Sequence, residues 1–180
     1  MKKRILLSLI ISLIYTVGKS QTASVEKSTY GIQTGLLGIW VHNEMKLTNQ
    51  IALRTEFGVN ASIFGGNFYP KTGFLMTPVI SVEPRWYYNL EKRLSKSKSI
   101  SGNSGNFVSL QTSYHPDWFV ISNYDNLKTF NLITIIPTWG IKRNIGKHFT
   151  YETSIGVGYG YQFRGEYDDV NGIAIDLNLR

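Results

Sequence analysis

The chain of 180 residues has no cysteine. That absence removes disulfides, thiol catalysis and thiolate metal sites together. Histidine is scarce, at three residues. His42 and His148 stand alone, and no histidine–carboxylate cluster has the spacing of metal ligands. No cofactor motif is present, so none is expected to bind. An excess of charge is missing too. The formal +7 includes Lys2, Lys3, Arg4 and Lys19, while all twelve acidic residues come later, leaving fifteen basic residues against twelve from Gln21 onward. That balance is too mild to argue for nucleic acid as a partner. After Gln21 there is neither a long helical period nor an apolar run of the roughly 20 residues a spanning helix needs.

What the chain does have begins at its first residues. Met1–Arg4 is basic, Ile5–Val17 is an apolar run of 13 residues, and Gly18 and Ser20 are small. This order is that of a cleaved secretory signal over residues 1–20, with the cut before Gln21. No cysteine follows the apolar run, which excludes a lipid-anchored lipoprotein. Residues 21–180 amount to one domain.

In that domain a two-residue period dominates. From His148 to Phe163 one face carries Phe149, Tyr151, Thr153, Ile155, Val157, Tyr159, Tyr161 and Phe163. The other carries His148, Thr150, Glu152, Ser154, three glycines and Gln162. Successive side chains of a strand point to opposite faces, so this is a two-faced strand. Similar runs start at Gln50 and Met76 and end the chain at Ile173–Leu179, with weaker ones at 30–46, 106–114 and 127–142. Seven strands are readable, and an even number of about eight is expected of a bacterial barrel. Short turns (47–49, 144–147) alternate with longer loops (65–73, 115–126, 165–172). The exception is 91–105, long and basic, with Lys92, Arg93, Lys96 and Lys98. It suggests one helical turn at 90–94 and otherwise a solvated loop, or a contact with anionic lipid headgroups. Pro78, Pro84 and Pro137 fall inside strand runs, where a missing N–H calls for a bulge or a place at headgroup level.

The alternation fits two barrels of opposite polarity. A soluble lipocalin-like barrel would hide the apolar face and carry an apolar ligand; a membrane barrel turns that face to lipid. Trp86, Tyr88, Phe149, Tyr151, Tyr159, Tyr161 and Phe163 from two strands are too bulky to converge on the axis of a small barrel. They also sit toward strand ends, as aromatic girdles do. The expected fold is therefore all-β, a small antiparallel up-and-down transmembrane β-barrel of about eight strands. Its partner would be outer-membrane lipid.

Ile51-Ala52-Leu53-Arg54-Thr55-Glu56-Phe57-Gly58, Val82-Glu83-Pro84-Arg85-Trp86-Tyr87-Tyr88, the turn Lys46-Leu47-Thr48-Asn49 and the closing Asp176-Leu177-Asn178-Leu179-Arg180 resemble the small outer-membrane β-barrel proteins of Bacteroidetes. The resemblance spans most of residues 21–180. It implies an exported barrel located in the cell outer membrane, and no particular activity.

The polar face holds Arg54, Glu56, Glu83, Arg85, Glu152 and Asp176. Arg54 and Glu56 share a face, as do Glu83 and Arg85, and buried charges must pair. A salt-bridged plug is expected of them, with a narrow ion path as the alternative. Ser113, His115 and Asp117 have the residue types of a hydrolytic triad, which would suit a lipid-modifying outer-membrane enzyme. Residues two apart on a strand point the same way, however, and a triad needs converging geometry, so no catalytic residue is expected. Phe64, Phe68, Tyr69, Trp118, Phe119, Tyr124 and Tyr167 crowd the long loops, as girdle residues or as a binding surface. The expected role is structural, or binding through the loops, without enzymatic activity.

Overall fold

The computed structural model describes residues 23–35, 37–67, 70–125, 127–146, 148–165 and 168–180. The signal-peptide expectation, and with it Phe68, Tyr69 and Tyr167, lies outside them.

The chain is all-β. Among the described residues, nine antiparallel strands form one sheet: β1 Ser28–Gly35, β2 Gly38–Lys46, β3 Ile51–Phe64, β4 Gly73–Trp86, β5 Gly105–His115, β6 Ile121–Ser122, β7 Asn131–Ile145, β8 Phe149–Phe163 and β9 Val170–Leu179. Eight of them follow each other in sequence order across the sheet, and the two-residue β6 pairs with the outer part of β4. The helical turn α1, Leu90–Leu94, and a 3₁₀ turn at Ser101–Asn103 lie between β4 and β5.

Two strands replace one readable run at 30–46. Gly35 pairs with Gly38 across a tight turn. Gly31 and Gln33 face the same side as Trp40 and Glu44, so the even–odd parity changes at the turn. The flanking residues are apolar, which hides the break. The three prolines need no bulge. The β4–β5 ladder skips Glu83 and Pro84 and begins only at Ile80, past Pro78. The β7–β8 ladder skips Ile136 and Pro137. Register is the same on both sides of each gap, so each proline sits where a ladder is already interrupted. Facing the second gap, a Cβ on Gly158 would collide with the Ile135 carbonyl, which leaves glycine as the residue that fits.

The sheet is strongly curled. No ladder joins β1 to β9 among the described residues, yet a Cβ on Gly35 would stand 2.9 Å from the Leu179 carbonyl oxygen. Arg180, just past β9, reaches Glu56 on β3 at 2.8 Å. The concave face is thereby the more covered of the two and the convex face is left open. Among the described residues, thirty-four large hydrophobic side chains are exposed, against nine hydrophobic residues that are buried. The small apolar cluster that exists, Ala23, Val25, Ala52, Tyr87, Leu90 and Phe107, lies at the short-turn end. There the connection from β4 to β5 and the segment before β1 fold under the sheet. The reading of 91–105 as a solvated loop holds for most of Glu91–Ser101 but not for its end, where Asn103, Ser104 and Gly105 are buried beside Leu90.

Candidate functional site

The concave face divides into two halves. Near the short turns it carries full charges. Alternation puts Glu44 on β2, Arg54 and Glu56 on β3, Glu83 and Arg85 on β4, Lys142 on β7 and Glu152 on β8 all on this side, each 5% exposed or less. Arg85 sits at the centre. Its guanidinium donates to both Glu152 oxygens at 2.8 Å and to Glu83 at 2.7 Å, and lies 4.2 Å from the centre of the Phe107 ring. Arg54 donates to Glu56 at 2.7 Å and also to Gln33. Lys142 donates to Glu44 at 2.8 Å, and Asn103 donates to the other Glu44 oxygen at 2.9 Å. Arg180 donates to Glu56 and stacks 4.3 Å from the Trp40 ring. Four cations thus meet four carboxylates.

Below this network the apolar cluster closes the sheet. The Tyr87 and Phe107 rings stand 5.6 Å apart, and burial pushes the Tyr87 phenol pKa up. Glu26 accepts from the Gly102 N–H, while Asn103 accepts from the Glu26 N–H at 2.7 Å. These bonds tie the segment before β1 to the β4–β5 connection.

Toward the long loops the same face opens into a cavity of about 950 Å³. Its walls include Asn60, Gln111, Ser113, His115, Gln162 and Asp176, with Val79, Leu132 and Ile136. This half was not legible in the sequence beforehand, because small side chains leave no motif.

Of the six charges read from the sequence, five join the network. Asp176 does not; it lines the cavity wall and accepts from the Asn178 amide. Glu44, Lys142 and Arg180 were missed. They lie in weak runs or at the chain end, and only their parity signals the concave face. The aromatic residues Trp86, Tyr88, Phe149, Tyr151, Tyr159, Tyr161 and Phe163 all project from the convex side, the first four near the short turns and the last three near the long loops.

Ser113, His115 and Asp117 do not converge. The Ser113 hydroxyl is 2.8 Å from the Ser81 hydroxyl on β4, and Asp117 is exposed, its N–H donating to Asn131. Among the described residues no group of His, Asp and Glu could hold a metal ion, and no helix is long and apolar enough to cross a membrane. The latter says nothing of strands. The chain matches no known family, no curated protein and no solved structure.

Proposed function

We propose that this protein is a small outer-membrane β-barrel of Bacteroidetes type, exported by its N-terminal signal, plugged at its short-turn end and open at its loop end. Its role is structural, or binding through the loops, without catalysis. The observation that carries the reading is the inverted polarity of the sheet. A soluble monomer rarely shows a contiguous apolar patch above a few hundred Å². Here a whole sheet face is predominantly apolar, with Ile173 at 82% and Ile175 at 73% exposed. Full charges fill the short-turn half of the concave side, where a lipocalin-like interior would be apolar.

Two further features support it. The strands β3, β4, β7 and β8 have 14 or 15 residues, whereas a tilted spanning strand needs about 9 to 11. The stagger also suits closure. Leu177, Ile155, Trp139, Val108, Trp86 and Ile51 form one line of cross-strand partners, which continues to a level below Ser28. Yet the residue beside Leu179 is Gly35. Closure at that contact would bring the sheet back on itself offset by about ten residues. Over eight strands such an offset would give a tilt near 40°, at about 3.3 Å per residue and about 4.8 Å between strands.

Membrane fractionation with a gel-mobility assay tests the reading. The chain is expected in the outer-membrane fraction, running at a different mobility before and after boiling in detergent. A soluble periplasmic chain with unchanged mobility would overturn it.

A further inference from the structure

The strand residues on the convex face are apolar or uncharged with one exception among those described. Arg143 follows the odd parity of Trp139 and Ile141 on β7, and its cross-strand partner is Tyr151. A charge facing lipid is costly unless it reaches the interface and finds a counter-charge. Arg143 lies near the short-turn end, beside the aromatic rim. The Trp139 indole donates to the Tyr88 hydroxyl at 2.9 Å, and the Asn106 amide reaches the same hydroxyl at 3.3 Å. Interfacial Trp and Tyr mark headgroup level.

Among the described residues no carboxylate pairs with this charge. Arg143 donates to the Gly105 and Lys142 carbonyls at 2.7 Å and to the Asn106 side chain. Arg93, within α1, is held likewise by the Ser99 carbonyl at 2.7 Å, and α1 packs on the residue whose carbonyl Arg143 holds, since a Cβ on Gly105 would stand 3.0 Å from Leu90 Cδ2. All six ion pairs of the described residues involve Glu44, Glu56, Glu83 or Glu152 on the concave face. Neutral acceptors fix the two guanidiniums in place without neutralising them.

We propose that Arg143 and Arg93, with Tyr88 and Trp139 at their edge, form a site for the phosphate of an anionic glycerophospholipid in the leaflet at the short-turn end. The inference rests on the membrane reading above. Guanidinium–phosphate pairs are strong and directional, and the aromatic rim would hold the glycerol and upper acyl region.

Native mass spectrometry of the full chain, released from bilayers of equal phosphatidylglycerol and phosphatidylcholine, reads the site directly. The wild type is expected to retain one phosphatidylglycerol with at least a fivefold preference. Arg143→Gln and Arg93→Gln should each reduce that preference to twofold or less, Arg143→Lys should keep an intermediate value, and Lys96→Gln with Lys98→Gln should leave it unchanged. Folding of each variant is checked by its boiling-dependent mobility. Undiminished retention in Arg143→Gln would overturn the site. So would equal losses in the lysine variant, which would mean diffuse attraction, or binding of soluble peptidoglycan fragments that Arg143→Gln abolishes. If a barrel forms and inserts but shows no headgroup preference, only this inference fails. If nothing inserts, the membrane reading fails with it.

Discussion

Along β8 the concave side chains run Glu152, Ser154, Gly156, Gly158 and Gly160 away from the short turns. Along β3 they run Ala52, Arg54, Glu56, Gly58 and Asn60. The same strands thus build a filled half and an empty half. In the filled half, long charged side chains reach across to one another, although Arg54 Nε and Nη1 and Arg85 Nε find no hydrogen-bond partner among the described residues. In the empty half, glycine and small polar residues leave a cavity of about 950 Å³. Side-chain length along each strand, rather than any change of fold, decides where the interior closes. Stability should accordingly reside in the charged half and ligand access in the other.

The strongest way to break this contrast is Arg85→Ala. It would leave Glu83 and Glu152 buried without their shared cation, and removing one partner of a buried pair costs about 3–5 kcal/mol. Denaturant unfolding in lipid or detergent, followed by boiling-dependent mobility, should show that loss. A cost below about 1 kcal/mol would mean that water reaches the network.

Leu90→Ala attacks the apolar closure beneath it. Leu90 has no exposed surface, and such truncations cost about 2–5 kcal/mol. The same unfolding measurement serves. Little change would place the closure outside the cooperative core.

The peripheral pair separates pairing from charge as such. Lys142→Met alone strands Glu44 and should cost about 3 kcal/mol, whereas adding Glu44→Met should recover most of it, since apolar replacement of a whole buried pair is often neutral. A double variant as unstable as the single one would assign Lys142 and Glu44 a different role.

The smallest effect is expected in the open half. Ser113→Ala or His115→Ala should change stability by less than about 1 kcal/mol, as loss of a single net hydrogen bond does. Both should leave the membrane lipid profile unchanged by mass spectrometry. An altered profile would revive the hydrolytic reading of Ser113, His115 and Asp117.

The direction of each face was legible in the sequence because a two-residue period assigns it without knowledge of the partners. Arg54–Glu56 and Glu83–Arg85 were legible as pairs for the same reason. The helical turn at Leu90–Leu94 also follows from its residues. Its packing did not, because only two leucines in a lysine-rich stretch turn inward. Lys142 and Glu44 meet across the interior from strands far apart in the chain, and no local pattern encodes that meeting. The β1–β2 break escaped because the sequence between Gly35 and Gly38 is apolar and continues the run without a polar turn signal.

The central claim is that the convex face meets lipid and the concave face does not, and two tryptophans report on it. Trp139 is convex and 43% exposed, while Trp40 is concave and 5% exposed beneath Arg180. One variant keeps only Trp139 and another only Trp40, the remaining tryptophans being changed to phenylalanine, and each is inserted into bilayers whose acyl chains carry bromine. The expected result is strong fluorescence quenching of Trp139 with Trp40 nearly unaffected. Equal quenching of the two, or stronger quenching of Trp40, would contradict the account.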